Sequence, residues 1–196
     1  MAATAPRTDT ASDEALARRT LAGDISAFEA IVERHRLVVR RVAARIVGED
    51  EADDVAQDAF LRAFHRVGRF RAEASFRSWL LRITHNAALD ALARRRAQPV
   101  DDVGDLEDEA SPGRPRTPAD QLEERERRDR LAAKLRLMQP THRAVLVLRD
   151  LEGLSYEEIA TITEAPLGSV KGRLHRARRE LIDILRANTY DWGLPQ

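Results

Sequence analysis

The sequence predicts an all-α protein in which two small helical domains are joined by a flexible, acidic linker that contains prolines. Apolar residues recur at helical spacing over residues 13–97 and again over 120–187. Over residues 98–119 this periodicity vanishes, and four prolines stand among six Asp and Glu residues. Such a composition is typical of a linker. Residues 1–12 are predicted to be a disordered N-terminus, and residues 188–196 form a tail.

The charge is balanced overall but separated along the chain. Lys and Arg together number 33, and so do Asp and Glu, so the formal net charge is zero. The acidic residues concentrate at 49–58 and 101–109, whereas Arg residues concentrate at 34–45, 94–96 and 171–179. This separation predicts that the protein has both basic and acidic partners.

The sequence contains no cysteine. Disulfides and thiolate metal sites are therefore excluded, and we expect neither a metal nor a cofactor. No apolar run approaches the length of a membrane span, and the N-terminus lacks the apolar core of a signal peptide. We therefore expect a cytoplasmic protein with no membrane insertion.

Two helices are predicted at the start of the first domain. One begins at Asp13, and a long amphipathic helix runs from Phe28 to Ile46 and ends at Gly48. His35 lies on the apolar side of the long helix. It is expected to be partly buried and hydrogen-bonded, because no second residue is paired with it as a metal ligand.

A third helix is predicted to follow the acidic residues at 49–54. Acidic side chains in a first turn are favoured by the helix dipole. Val55, Ala59, Ala63 and Phe64 then form an apolar stripe. On composition alone, the acidic residues of this helix are an exposed rim.

A polar, basic loop opens at Gly68, and aromatic residues bracket it. Such a loop suits an extruded base, which is held by stacking and by hydrogen bonds to its edge. A helix follows from Phe76, and Trp79 is expected to pack in its core. This helix ends in three arginines at 94–96, which either bind phosphates or complement the C-terminal dipole.

The second domain is predicted to contain four helices. Pro140 stops the first of these, whose apolar stripe includes Leu131. Thr141 is the expected N-cap of the next helix, which Gly153 ends. A helix, a tight turn and another helix follow.

The last two helices have the pattern of a helix-turn-helix. Ser155 and Glu158 match a capping box, and Pro166 favours a new helix start. The second helix has an apolar stripe made by Val170, Leu174, Ala177 and Leu181. Its opposite face carries Ser169, Lys171, Arg173, His175, Arg176, Arg178 and Arg179. A rigid helix with such a face suits reading of the DNA major groove, whereas the plainer alternative is a solvated basic surface.

These stretches resemble one family. The run Leu-Ser-Tyr-Glu-Glu-Ile-Ala at 154–160 and the run Pro-Leu-Gly-Ser-Val-Lys-Gly-Arg-Leu-His-Arg-Ala-Arg at 166–178 resemble the C-terminal domain of the extracytoplasmic-function (ECF) sigma factors of bacteria. The stretches at 53–64 and 70–90 also resemble this family, in the expected order. The resemblance covers roughly residues 20–97 and 120–186. It implies an alternative sigma factor without catalysis, which binds bacterial core RNA polymerase and directs promoter-specific initiation.

The resemblance also assigns residues to three binding faces. It implies that the minus-thirty-five element is read by Ser169, Lys171, Gly172, Arg173, His175, Arg176, Arg178 and Arg179. It places the melted non-template strand of the minus-ten element against residues 65–76, together with Arg82 and Asn86 of the following helix. The predicted minus-ten residues are Arg69, Phe70, Arg71, Ser75, Phe76, Arg82 and Asn86. The predicted polymerase-binding residues are Asp54, Gln57, Asp58 and Leu61.

A further partner is implied by the same resemblance. ECF sigma factors are usually held inactive by an anti-sigma factor that covers their polymerase-binding faces. We therefore expect a small partner, often linked to a membrane, that binds both domains.

Two positions depart from the family pattern. Glu164 occupies a turn position where many members have Gly, and a left-handed backbone there costs a non-Gly residue about 1 kcal/mol. Gly172 stands where Ser is frequent, and inside a helix it costs about 1 kcal/mol relative to Ala. Gly172 either lets the backbone approach DNA closely or is simply tolerated.

Two other classes of function compete with this interpretation. A conventional dimeric helix-turn-helix regulator would use residues 13–97 as a sensor or dimerisation domain and would bind a palindrome without polymerase. A metal-dependent nuclease could be built on Asp53, Asp54 and Asp58. However, no His or Lys is matched to these acids, and no Gly-rich loop is present to cradle a phosphate.

Overall fold

A computed structural model describes residues 10–97 and 118–187, except for the side chains of 118–126 and 128. The predicted linker core and tail, and most of the predicted disordered N-terminus, lie outside the described residues. The elements in chain order are α1 (Asp13–Leu21), α2 (Ile25–Val47), α3 (Ala52–Arg66), a short 3-10 helix (Val67–Arg69), α4 (Phe76–Ala97), α5 (Pro118–Leu137), α6 (Pro140–Leu146), a π-helical turn (Val147–Leu151), α7 (Tyr156–Thr163) and α8 (Leu167–Ala187). The described residues contain no strand, and the predicted all-α class is confirmed.

The ends of the first two helices have local causes that the sequence indicates. Ser12 caps α1 by accepting a hydrogen bond from the Ala15 amide at 3.2 Å. Asp24 caps α2 in the same way. Gly48 ends α2 with φ of 107°, a left-handed backbone that favours glycine. The predicted start of α1 and end of α2 are therefore confirmed.

Helices α1 to α4 form the N-terminal unit, in which α2, α3 and α4 pack against one another. Ile31 and Val39 of α2 are fully buried and meet Ala59 of α3 and Leu80 of α4 in one core. His35 is also buried, and its Nε2 lies 2.8 Å from Asp13 Oδ2. The predicted hydrogen bond of this histidine is therefore confirmed, and the ring is buried more fully than the predicted partial burial.

Helices α5 to α8 form the C-terminal unit, which contains the four predicted helices. The start of α6 differs from the prediction. Gln139 occupies the N-cap position and Pro140 is the first helical residue, so Thr141 is not the cap. Proline is well suited to this first position, because the amide it lacks has no partner within the helix. The chain then widens into the π-helical turn, and Gly153 at φ of 71° ends it.

The two units are in contact, and Arg143 of α6 is central to this contact. Its side chain is 4% exposed. It donates to the carbonyl of Ile46 in the last turn of α2 and, at 2.7 Å, to the carbonyl of Arg136 in its own unit. Burial lowers the pKa of Arg143 to about 10, so the guanidinium stays charged at neutral pH. Because cations favour helix C-termini, this side chain caps α2 from the other unit.

None of the described helices is both long enough and apolar enough to cross a bilayer.

Candidate nucleic-acid interface

The capping box predicted for α7 is present. Ser155 Oγ accepts from the Glu158 amide at 3.1 Å, and Glu158 Oε2 accepts from the Ser155 amide at 2.8 Å. The Ser155 backbone hydrogen bond is the main cause of the lowered pKa of the Glu158 carboxyl. Two amide donors that lack partners within the helix are thereby satisfied, which fixes the start of α7.

The turn between α7 and α8 contains a strained residue. Glu164 ends α7 in the left-handed conformation, with φ of 51° and ψ of 39°. Its amide donates to the carbonyl of Ala160. Position 164 therefore has the left-handed backbone that costs a non-Gly residue about 1 kcal/mol.

Helix α8 is held by a buried stripe. Val170, Leu174 and Ala177 are at most 1% exposed, and Leu181 packs beside them. Ile159 and Ile162 of α7 are fully buried in the same core. The predicted stripe is therefore confirmed, and it fixes which face of α8 points outward.

The outward face of α8 carries the residues predicted to read the minus-thirty-five element. Two members, Gly172 and Arg173, are half-buried, and the exposed members are Ser169, Lys171, His175, Arg176, Arg178 and Arg179. A Cβ at position 172 would lie 3.5 Å from the nearest side-chain atom, Nη1 of Arg176, which is an ordinary contact. Packing within the described residues therefore does not require glycine there.

Two basic side chains on this face are held by other residues of the C-terminal unit. Arg178 forms a forked ion pair with Asp150, with distances of 2.6 and 3.0 Å. This hydrogen bonding raises the pKa of Arg178. Lys171 lies 5.7 Å from the ring centroid of Tyr156. Arg176, in contrast, borders a wide groove between α8 and the start of α6.

Four of the seven predicted minus-ten residues line a small cavity in the N-terminal unit. The cavity has a volume of ≈ 260 Å³, and its lining includes Arg69, Phe70, Arg71, Trp79, Arg82 and Thr161. Arg69 and Arg71 are exposed, whereas Phe70 and Arg82 are half-buried. Thr161 belongs to α7, so the C-terminal unit closes one side of this cavity.

Ser75 and Asn86 lie outside the lining and are both exposed. Ser75 accepts a hydrogen bond from the Ser78 amide at 3.1 Å and so stabilises the start of α4. Asn86 Oδ1 lies 3.0 Å from Nδ1 of His85. The buried His85 has a lowered pKa, chiefly because burial disfavours its charged form; nearby Arg173 lowers it further.

Phe76 requires a correction. Its ring is 1% exposed, and its centroid lies 5.1 Å from Phe70 and 5.2 Å from Trp79. A ring this deeply buried has no free face for a base to stack on. Phe76 is therefore a core residue that supports the cavity, as is Trp79, whose predicted place in the core is confirmed.

The four predicted polymerase-binding residues share one side of α3. Asp54, Gln57 and Leu61 are exposed, and Leu61 is 54% exposed despite being apolar. Asp58 is half-buried, because Arg62 holds it at 2.8 Å. Arg62 also pairs with Asp90 of α4 at 2.7 Å. The surface is thus acidic, and the exposed apolar side chain of Leu61 lies at its C-terminal end.

Sequence reasoning missed a set of contacts between the two units. Glu152 Oε2 lies 2.7 Å from Arg41 Nη2, and Glu152 Oε1 lies 3.1 Å from Arg45 Nη1. Glu164 pairs with Arg82 at 3.3 Å. In the sequence, the departure from Gly at position 164 was the only indication of these contacts. No pattern in the sequence indicated the role of Glu152.

Within the described ranges, no group of three or more His, Asp or Glu side chains is placed to hold a metal ion. Residues 31–98 match the family model of sigma-70 region 2, and residues 128–181 match that of sigma-70 region 4.

Relatives match most of the chain. The RNA polymerase sigma-H factor of Pseudomonas aeruginosa is 37% identical over 188 residues, which cover 87% of this chain and 92% of the relative. The ECF RNA polymerase sigma-E factor of Escherichia coli K12 is 35% identical over 178 residues, covering 88% of this chain and 93% of the relative.

Solved structures are also similar. CnrH, in complex with the cytosolic domain of CnrY, superposes with a TM-score of 0.66 at 30% identity, over 91% of this chain and 99% of that chain. RpoE of Bartonella quintana, solved with the anti-sigma factor NepR, has a TM-score of 0.62 at 20% identity, covers 81% of this chain and 96% of that chain, and shows the fold alone. The family models and the relatives agree with the geometry of both units. The chain therefore belongs to the extracytoplasmic-function family of RNA polymerase sigma factors.

Proposed function

We propose that this chain binds bacterial core RNA polymerase in the cytoplasm and directs it to specific promoters as an alternative sigma factor. The observation that carries the proposal is α8, whose exposed basic face is backed by a buried apolar stripe. Members of the family are initiation factors and not enzymes, so a nuclease at Asp53, Asp54 and Asp58 is not proposed. The proposed domains are residues 13–97 and 120–187, joined by the linker 98–119.

In this proposal, α8 reads the minus-thirty-five element in the major groove. Arg176 is exposed and has the fork that pairs with the O6 and N7 atoms of guanine. Arg178 is already held by Asp150, which suits a fixed contact to a phosphate. Ser169, Lys171, Arg173, His175 and Arg179 complete the face.

The N-terminal unit is proposed to hold the melted strand of the minus-ten element. The cavity beside Phe70 and Trp79 has an aromatic wall and arginines at its rim, which suits an unstacked base and its phosphates. Arg69, Arg71, Ser75, Arg82 and Asn86 remain in this set, and Phe76 is omitted. Unstacking a base costs a few kcal/mol per step, so the free protein is expected to bind promoter DNA weakly.

The exposed side of α3 is proposed to bind core polymerase. Asp54 and Gln57 supply polar contacts along the helix face that ends in the exposed apolar side chain of Leu61. Protein interfaces combine polar and apolar side chains in this way. Asp58 is placed by Arg62 and shares this surface.

An anti-sigma factor is proposed as a further partner. CnrH, the 30% identical relative, was solved with the cytosolic domain of CnrY bound to it. By analogy, we expect a partner protein that competes with core polymerase for this chain. A pull-down in which polymerase and this partner bind together would count against the proposal.

A dimeric helix-turn-helix regulator is not favoured. Residues 31–98 match sigma-70 region 2, which a sensor or dimerisation domain would not explain. A dimeric regulator of this kind also gives no role to the exposed acidic side of α3.

The deciding experiment is co-elution of the purified chain with core RNA polymerase, followed by transcription from a bank of genomic promoters. Co-elution together with new start sites is the expected result. Failure to associate, combined with tight binding of the free chain to duplex DNA, would support the regulator instead.

Two variants separate the polymerase-binding and DNA-binding faces. Asp54→Arg is expected to abolish co-elution, whereas Arg176→Ala should retain co-elution and lose promoter use. Glu29→Arg is the matched control, because it reverses an exposed acid on the neighbouring helix α2. Polymerase binding that survives Asp54→Arg would remove α3 from the proposal.

A further inference from the structure

We propose that Glu180 is a positioning residue for promoter reading, which fixes the rotation of α8 and thereby aims the guanidinium of Arg176 at its base. The inference rests on the proposed function, because it concerns the contact between Arg176 and the minus-thirty-five element. Glu180 belongs to none of the predicted sets of binding residues. The residues that carry the inference all lie within the C-terminal unit.

Both carboxylate oxygens of Glu180 are held by residues at the start of α6. Oε1 accepts a hydrogen bond from the backbone amide of Gln139 at 2.7 Å. Oε2 lies 2.5 Å from Nδ1 of His142. The side chains of Glu180 and His142 are 29% and 18% exposed, so salt and water screen this contact only in part. We call these two contacts the Glu180 bridge.

The Glu180 bridge and the Arg178–Asp150 ion pair brace α8 from two sides. At about 100° per residue, Arg178 and Glu180 lie on opposite sides of the buried stripe of α8. Apolar contacts in the stripe hold the helix down but have no preferred direction. Hydrogen bonds are directional, so one on each side of the stripe resists rolling of the helix about its axis.

The rotation of α8 matters most for Arg176. Arg178 is held by Asp150, whereas Arg176 makes no ion pair within the part of the chain that the structure describes. Its guanidinium is therefore aimed by the helix that carries it. Arg176 stands one turn before Glu180 on the same side of α8, and both border the wide groove beside α6. The Glu180 bridge is thus the lateral contact nearest to Arg176 along the helix.

A small roll of α8 is enough to break base reading. A roll of about 20° moves a group that lies about 6 Å from the helix axis by about 2 Å. Hydrogen-bond lengths vary over only about 0.5 Å, so such a roll breaks a bidentate pair with guanine. Phosphate contacts tolerate more movement, because a point charge does not require one fixed geometry.

A purely structural role for Glu180 is the competing explanation. Loss of the Glu180 bridge would then destabilise the C-terminal unit and weaken binding to all promoter sequences alike. A positioning role instead changes the preference among bases at the one position that Arg176 reads. The two explanations therefore differ in base preference.

The first test measures the preference of the holoenzyme for guanine over the other bases at that position, which Arg176→Ala identifies. One bidentate contact to guanine is worth roughly 5–150-fold in this ratio. Glu180→Ala is expected to reduce the ratio at least about fivefold. Glu180→Gln keeps an oxygen for the Gln139 amide and should restore most of it. His142→Ala removes one contact only, so it provides a milder variant if Glu180→Ala does not fold.

Asp183→Ala is the matched control. Asp183 is exposed, lies in the next turn of α8 and borders the same groove. Its replacement removes an equal charge near the DNA and leaves the Glu180 bridge intact, so the base preference should not change. Circular dichroism confirms that each variant is folded.

A double-mutant cycle separates positioning from stability. Glu180→Ala should weaken binding to the preferred promoter in the natural chain and change it little in the Arg176→Ala chain, because the residue that it positions is then absent. A purely structural effect would be of equal size in both chains.

A second test needs no polymerase. The natural chain has no cysteine, so Ala133→Cys and Arg186→Cys place spin labels at exposed positions of α5 and α8 in the full-length protein. The distribution of distances between the labels should be broader in Glu180→Ala than in the natural chain. It should stay unchanged in Asp183→Ala.

Three results would overturn the inference. These are an unchanged base preference in Glu180→Ala, an equal loss of preference in Asp183→Ala, or an unchanged distance distribution in Glu180→Ala. Failure of the chain to co-elute with polymerase, together with a broadened distribution, would overturn the proposed function but leave Glu180 as the residue that holds α8. Normal co-elution with an unchanged base preference would overturn only the positioning role.

Discussion

The proposed DNA-reading surfaces on α8 and around α4 both combine arginines with a short polar side chain, but the first is open and the second is partly covered. Most of the α8 set is exposed, and Arg178 is held by Asp150 from its own unit. Around α4, Arg82 is held by Glu164 from the other unit. One surface is completed by its own unit, and the other by a contact from the other unit.

This difference follows from how each surface is built. The α8 surface depends on a capping box and a buried stripe, both of which are local in sequence. The α4 surface depends on a loop, an aromatic core and the position of α7. The contact between the units therefore bears on the N-terminal surface, whereas the start of α7 and the stripe of α8 are completed within their own unit.

The largest expected effect concerns the aromatic core beneath the α4 surface. Phe76→Ala should lower the free energy of unfolding by about 3–5 kcal/mol, because it leaves a cavity beneath Phe70 and Trp79. Urea denaturation followed by circular dichroism measures this. Phe64→Ala is the control, since Phe64 is 38% exposed and should cost clearly less. Equal losses would mean that Phe76 is not a core residue.

The second prediction concerns base reading by α8. Arg176→Ala should weaken holoenzyme binding by ~1–3 kcal/mol at one base pair and relax the preference there. Arg178→Ala should weaken binding to all sequences alike, because Asp150 fixes its side chain for phosphate contact. Binding to a panel of single-base promoter variants distinguishes these outcomes. A relaxed preference in Arg178→Ala would exchange the two roles.

The third prediction tests whether the helix-turn-helix is stabilised locally. Ser155→Ala removes the capping box and should destabilise the protein by about 1 kcal/mol. Glu158→Gln keeps a side chain that the capping box accepts, so its effect should be smaller. Thermal unfolding of both variants gives the comparison. A larger loss in Glu158→Gln would show that the contact of Glu158 with Ser78 matters more than the cap.

The smallest expected effect is a pH dependence that links the two surfaces. Burial lowers the pKa of His85, with Arg173 acting in the same direction and Asn86 and Glu164 opposing it. The unfolded chain therefore takes up this proton first as the pH falls below about 6.5. The corresponding stability is complete above that pH and is lost below it.

The matching measurement is urea denaturation between about pH 8 and about pH 5. The natural chain should lose stability as the pH falls, and His85→Gln should lose less of it. If the free energy of unfolding changes equally with pH in both proteins, His85 is excluded as a source of this pH dependence.

Local features of the fold could be read from the sequence. The ends of α2 and α7 follow from Gly48 and from the Ser155–Glu158 box, because caps act within a few residues. The stripe of α8 follows from apolar spacing. Thr141 was misassigned because both Thr141 and Pro140 are plausible at a helix start, and Pro140 occupies the first helical position.

The rest depends on tertiary contacts that no local pattern encodes. The family resemblance placed Phe70 and Phe76 in the same minus-ten set but did not indicate which ring is buried. Glu152 pairs with Arg41 across 111 positions, and nothing near either residue marks the other. The departure from glycine at position 164 was visible in the sequence, but its reason required the position of Arg82.

The hydrogen bond from the Arg143 guanidinium to α2 also affects the order in which parts of the protein can fold during synthesis. The carbonyl of Ile46 that it caps lies 97 positions earlier in the chain. A ribosome makes α2 long before it makes α6, and the intervening chain grows at roughly 5–20 residues per second. The newly made α2 thus spends several seconds without this cap. Its last turn is finished by a residue that emerges only with the second half of the protein.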